Sequence, residues 1–271
     1  MNLGLEGKVA IVTGAAAGIG KGIARVLAEE GCNVVIADID GKKGETTASE
    51  LNSMGSGEKC VAVATDVSSE ESVGRMVERT VEEFATVHIL VNNVGLTIAG
   101  WIEEIDLAAI RKTFDVNMLG YLLTTKAVVP HMKKQRFGRL IYMSSGSGQK
   151  GSSGLSLYSA SKSFDIGFGK AIGQELGKHN ITSNVVCPSD VFPEAQYEAG
   201  SWKESRLAEI TKEKLGVSSL DEIKAKRETS NPMRRNCTVE DVAYYVAFLA
   251  SERASFVNAQ THGINGGAIP G

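Results

Sequence analysis

The chain has 271 residues and a mass of 28.7 kDa, with 42% hydrophobic and 23% charged residues, which excludes global disorder. Its 29 basic and 32 acidic residues leave a net charge of −3, and the short basic runs near Lys133 and Lys224 form no stripe suited to a nucleic acid. No apolar run approaches the roughly 18 residues of a membrane span, and the N-terminus lacks the layout of a signal peptide.

In chain order, Lys8 to Thr13 is a short β-rich apolar run that ends in glycines and reads as a buried strand. Ile19 to Glu29 follows with apolar residues at helical spacing, then Cys32 to Ala37 as a second strand. Glu45 to Met54 reads as a polar helix and Cys60 to Ala64 as a third strand. Glu70 to Phe84 carries Val73, Met76, Val77, Val81 and Phe84 on one helical face. Ile89 to Val91 is a short fourth strand running into Asn92. Leu107 to Met132 reads as largely helical, and Arg139 to Met143 as a fifth strand. Leu157 to His179 is a long helix and Ile181 to Cys187 a sixth strand. Val239 to Ser251 reads as a helix, and Thr261 to Asn265 closes the series as a strand.

Strands alternating with helices imply parallel crossovers. The expected fold is therefore α/β: one doubly wound, Rossmann-type parallel sheet of about seven strands, flanked by helices and spanning residues 1–271 as one domain. About fifty residues, 189–237, interrupt the alternation after the sixth strand. Their helical, charge-rich stretches predict a lid over a substrate site. The cysteines Cys32, Cys60, Cys187 and Cys237 lack metal or disulfide spacing, so a metal is not expected and a reducing cytoplasm fits.

Gly14, Gly18 and Gly20 lie where the first strand becomes the first helix. They allow a tight turn, a close backbone approach to a pyrophosphate, and close helix–strand packing, while the helix N-terminus offers free N–H groups. Their spacing is GxxxGxG rather than GxGxxG. Asp38 ends the second strand, where a carboxylate accepts from ribose hydroxyls and repels a 2′-phosphate. With no Arg or Lys at Ala17 or Ile39, NAD is favoured over NADP. Asp40 is the more natural cap for the helix that follows.

Tyr158 and Lys162 share one helix face at i, i+4, and Ser144-Ser145 ends the fifth strand, where α/β sheets place their chemistry. With these residues the sequence resembles the classical short-chain dehydrogenases/reductases over essentially its whole length. The motifs stand as TGAAAGIG (13–20), Asp66-Val67, NNVG (92–95), Asn117, Ser145, YSASK (158–162), Asn184 and Pro188.

The resemblance implies an oxidoreductase that interconverts a secondary alcohol and a ketone. Tyr158 would be the general acid/base, with the Lys162 ammonium favouring its phenolate and also binding the nicotinamide ribose. Ser145 would hydrogen-bond the substrate oxygen, and Asn117 would hold a water linking Lys162 to solvent. Asp66 and Val67 would flank the adenine, Asn93 and Gly95 the middle of the dinucleotide, and Val191 would offer its backbone to the nicotinamide amide; Ile19 and Pro188 would bind the cofactor as well. A homotetramer or homodimer is implied as well, packed through the helices at Leu107 to Met132 and Leu157 to His179.

Two departures stand out. Val94 replaces an alanine, and Pro188-Ser189-Asp190-Val191-Phe192-Pro193 replaces PGxVxT, which brings the expected positive φ at Ser189 into question. The substrate wall is expected from Ser147, Gln149, Leu155, Phe192, Tyr197 and Trp202, beside Leu96. This mixed wall suits a polar alcohol such as a sugar or polyol. A steroid-like alcohol, a 3-oxoacyl thioester, an epimerase or dehydratase reaction, and a dinucleotide sensor without turnover are the alternatives. Arg234 and Arg235 read as solvated rather than substrate-facing.

Overall fold

A computed structural model describes residues 2–55, 59–192 and 206–270. Seven strands form one fully parallel sheet in the order β3-β2-β1-β4-β5-β6-β7. They are β1 (Val9–Thr13), β2 (Asn33–Asp38), β3 (Cys60–Ala64), β4 (Ile89–Asn92), β5 (Gly138–Met143), β6 (Ile181–Pro188) and β7 (Thr261–Ile264). The chain winds outward from β1 to β3, then returns to lay β4 against the other side of β1. That reversal parts the loops beyond Thr13 and Asn92 and opens a crevice at the carboxyl ends of the strands.

The strands are apolar on both faces because both faces are covered. Ala10, Val12, Val34 and Ile36 point into one core with Ile23 and Leu27 of α1 (Gly18–Glu29) and Val242 and Val246 of α10 (Val239–Ala250). Their alternates Ile11, Val35 and Leu90 point into the other core, with Met76 of α3 (Glu70–Phe84) and Tyr121 and Val128 of α5 (Gly120–Gln135). Each fully buried aliphatic side chain contributes about 1.5–3 kcal/mol. The alternation therefore fixes register, since a one-residue slip would exchange the two cores.

α3 has the expected bounds, with Ser69 capping its start and Ala85 ending it at φ 67°. Asp40 caps α2 (Gly41–Ser53), which begins four residues before the expected Glu45 because the cap, not the apolar pattern, sets its start. The helix read as continuous from Leu107 is α4 (Leu107–Thr113), a π-helical stretch (Phe114–Leu119) and α5. α6 (Gly146–Lys150) was not anticipated, and α7 runs Ser156–Leu176. The excursion after β6 is helical as expected, with α8 (Arg206–Leu215) and α9 (Leu220–Thr229). Pro193, Tyr197 and Trp202 lie outside the described residues. Among the described residues no helix is long and apolar enough to cross a membrane.

Candidate active site

The turn after β1 forms a cradle. Gly14 (φ 65°) and Gly18 (φ 57°) take a conformation that side chains resist. Gly20 has ordinary backbone angles but no room: a Cβ there would lie 2.2 Å from the Gly14 carbonyl oxygen. Ala17 is the residue before α1 and offers no side-chain cap, and the first turn carries no acidic residue, so the helix N-terminus stays open to an anion. Asn93 Nδ2 donates to the Thr13 and Gly14 carbonyls at 2.9 and 3.2 Å and ties the turn to the end of β4.

A cleft of about 1000 Å³ runs from this turn across the sheet edge. Gly14, Gly18, Ile19, Asp38, Ile39, Asp66, Val67, Asn93, Gly95 and Val191 line it. Ala17 and Gly20, in the same turn, are not among the cleft's lining residues. Asp38 accepts from the backbone N–H groups of Ala16 (3.0 Å) and Asp40 (3.1 Å), which fixes its carboxylate at the end of β2. Glycine turn, open helix end, terminal carboxylate and long cleft together fit a dinucleotide.

A second cleft of about 470 Å³ shares Ile19, Thr97, Val191 and Leu207 with the first. Ser145, Ser147, Leu155, Tyr158 and Pro188 line its inner side, and α8 and α9 supply its outer wall. Ser145 is placed by the end of β5 and caps α6, its hydroxyl accepting from the Ser147 N–H at 3.1 Å. Two residues of the expected substrate wall lie elsewhere. Gln149 is on the opposite face of α6 from Ser147 and Lys150, with its Oε1 toward Gly263. Phe192 lies outside both cleft linings, its ring centroid 5.7 Å from the Arg227 guanidinium. Arg235 pairs with Asp241 rather than with the cleft.

Ser189 does not have the questioned positive φ. The left-handed residue is Asp190 (φ 55°), which tolerates it and accepts from Arg227 at 2.6 Å. Ser189 instead packs over Gly146, where a Cβ would meet its hydroxyl at 2.1 Å.

Behind the cleft wall lies a buried polar group. Lys162 is 2% exposed, and its Nζ donates to the Met143 carbonyl (2.7 Å), Asp165 Oδ2 (3.0 Å) and Tyr121 Oη (3.4 Å). It lies 6.0 Å from the Tyr158 ring centroid. Burial, the largest single effect, works against this ammonium, but its buried neighbours, the Asp165 carboxylate first among them, together hold its proton more tightly than in a free lysine. Burial also raises Asp165 to about 6, Lys162 opposing. Asn117 is fully buried in the π-helical stretch. Its amide brackets the Leu96 backbone, accepting from N–H at 2.7 Å and donating to C=O at 2.9 Å, and donates to Ser161 Oγ at 3.0 Å. Ser161 Oγ donates in turn to the Tyr158 carbonyl at 2.8 Å.

The fold thus brings Ser145 and Tyr158 to one wall, with Lys162 and Asn117 behind it. A family model described as short chain dehydrogenase matches residues 8–204. The chain belongs to the short-chain dehydrogenase/reductase family. A second model, described as enoyl-(acyl carrier protein) reductase, matches residues 208–268.

Relatives in the family align over nearly the full length of both chains. Galactitol 2-dehydrogenase of Agrobacterium fabrum is 34% identical over 97% of this chain and 98% of its own. A 3-oxoacyl-[acyl-carrier-protein] reductase FabG of Thermotoga maritima is 32% identical over 98% and 99%. Oxidoreductase UcpA of Escherichia coli is 32% identical over 97% and 95%. The protein is therefore an oxidoreductase of the alcohol/ketone type, in a family that uses nicotinamide dinucleotides.

Asp165 and Tyr121 escaped the sequence reading. Asp165 carried one usable signal: it sits seven residues after Tyr158 and three after Lys162, a carboxylate on the face of α7 that packs against the sheet.

Proposed function

We propose that this short-chain dehydrogenase is NAD-dependent and interconverts a polar secondary alcohol and its ketone. The observation that carries the proposal is that Ser145 and Tyr158 line one cleft beside the larger one, with the Lys162 ammonium buried behind them. When bound, the dinucleotide carries the hydride. The Tyr158 hydroxyl exchanges a proton with the substrate oxygen, and the Ser145 hydroxyl donates to that oxygen as charge develops. The Lys162 ammonium supplies a positive charge behind Tyr158, 6.0 Å from its ring centroid, and would hold the ribose of a bound dinucleotide. Asn117 braces the Leu96 loop against α7.

Asp38 supports NAD, because its fixed carboxylate would face a 2′-phosphate. The hydroxyls of Ser147, Ser152, Thr211 and Ser230, with Lys150, Lys214 and Arg227, support a polar substrate over a steroid. The galactitol dehydrogenase likeness points to a polyol. The FabG likeness favours a second reading, reduction of a 3-oxoacyl thioester. Exposed Leu107, Phe114, Leu119 and Leu122 support assembly of homodimers or homotetramers through α4, the π-helical stretch and α5.

The test is a panel of polyols, hydroxysteroids and 3-oxoacyl thioesters, each with NAD(H) and NADP(H). Polyol oxidation with NAD is expected, and Tyr158→Phe should lower kcat at least about 100-fold while dinucleotide affinity stays. A preference for NADP would refute the Asp38 argument. Equal turnover by Tyr158→Phe would refute the proton role.

A further inference from the structure

The lysine behind Tyr158 is paired with a carboxylate that the reaction itself does not require. Asp165 lies one helical turn beyond Lys162 on α7 and is wholly buried. One of its oxygens takes the lysine's proton donor at 3.0 Å, and the other has no hydrogen-bond partner. An unpartnered carboxylate oxygen in a buried core is costly, and a buried pair is seldom a net gain in stability over apolar side chains. Stability therefore gives this residue little reason to be an aspartate.

The groups that face Lys162 show what it supplies. Tyr121 comes from α5, the Met143 carbonyl from β5, Cys187 from β6 and Tyr158 from α7 itself, while Tyr142 of β5 faces Asp165. Burial holds the Tyr121 and Tyr142 hydroxyls protonated far above neutrality and raises the Cys187 thiol to about 11. Among the described residues packed there, Asp165 alone brings a negative charge at neutral pH. A buried lysine without a counter-ion can lose its proton several units below the usual value of about 10.4. The neutral amine would no longer favour a phenolate.

We propose that Asp165 is a positioning residue for proton transfer: it keeps Lys162 an ammonium inside the protein and aims it at the floor of the site between Tyr121 and the Met143 carbonyl. Tyr158 then has a fixed positive charge behind it across the whole working pH range. The inference rests on the reading of Tyr158 and Lys162 as the proton-handling pair.

Two readouts against pH test it, from about pH 6 to 10: kcat/KM for the best alcohol, and the Kd of NAD from fluorescence titration. In the wild type both should hold on the alkaline side. Asp165→Asn keeps the shape and removes the charge. It should add a descending limb near or below about pH 9, with NAD binding weakening about tenfold per pH unit beyond it. Asp165→Glu, which restores the charge, should remove that limb.

An Asp165→Asn profile that differs from wild type only by a uniform factor would overturn the proposal, because a purely structural residue adds no new titration. Should that variant not fold, a descending limb in folded Asp165→Glu, or in the wild type itself, would overturn it, and flat alkaline profiles in both would support it. If the wild type oxidises no alcohol yet Asp165→Asn alone shows pH-dependent NAD binding, the role of Asp165 stands and the proposed reaction falls.

Discussion

Gly20 and Gly74 are both helical glycines with ordinary backbone angles, yet alanine should have opposite effects at the two positions. In α3, a Cβ at Gly74 would meet nothing within 4 Å. Gly74→Ala should therefore stabilise by the helix-propensity difference, about 0.5–1 kcal/mol. In α1, a Cβ at Gly20 would lie 2.2 Å from the Gly14 oxygen, 2.6 Å from Asn93 Nδ2 and 2.9 Å from the Gly14 carbonyl carbon. Carbon and oxygen ordinarily sit more than about 3 Å apart, so the turn must move by about 1 Å. It cannot do so without loosening the two hydrogen bonds from Asn93. Overpacking of this kind costs about 1–3 kcal/mol, so the net loss at Gly20 should be about 1–2 kcal/mol after the propensity gain. On the proposed function the displaced turn would also cradle the phosphates, and a 1 Å error there should weaken NAD binding about 10- to 100-fold. Urea unfolding read by circular dichroism gives the first quantity, and fluorescence titration with NAD the second. Gly20→Ala with wild-type affinity would show that the approach of α1 to the turn does not shape the cofactor site. Equal stability effects at the two positions would show that space, the only difference invoked, is not what separates them.

Ser145→Ala removes the cap of α6 and, on the proposed mechanism, the donor to the substrate oxygen. A fall in kcat of about 100-fold is expected, with Kd for NAD unchanged; a change confined to KM would place Ser145 in binding rather than in chemistry. Arg235 and the Thr238 cap hold Asp241 down to about 2, and Asp241→Asn should cost about 1 kcal/mol at pH 7 once solvent screening of this partly exposed pair is allowed for. Because the folded protein holds that proton more weakly than the unfolded chain, the stabilisation is present above about pH 4 and lost as pH falls toward 2. Urea midpoints of wild type and variant should converge over that interval, and a constant gap would refute the linkage.

The seven strands and their winding were legible because each strand is a compact apolar run bounded by glycine or polar residues. α3 was read to the residue because amphipathic period, serine cap and stop coincide. Where those signals separate, the reading drifted, as at the start of α2. α6 has five residues, two of them glycine, and no period to detect. The π-helical stretch was invisible for a different reason: its composition is that of an ordinary helix, and only backbone register sets it apart. Ser145, Tyr158 and Lys162 could be placed because motif and strand end agreed. The positions of Gln149 and Phe192 depend on which way a short helix and a loop face, which residue type does not encode. The doubt that serine raises about a positive φ at Ser189 agrees with the structure, where the left-handed residue is Asp190.

The wide turn that carries Asn117 makes chain length a functional variable. A π-helical turn holds one residue more than an α-helical one, and each residue in a helix is worth about 100° of rotation. Deleting a single residue between Phe114 and Leu119 would restore an unbroken helix from α4 into α5. It would also turn one half against the other by more than a quarter of a circle. Asn117 could not then face Leu96 and Ser161 while Tyr121, one turn later, faces Met143. Here an indel acts as a rotation, and the extra residue works as the spacer that lets one continuous rod present two polar side chains to two different neighbours.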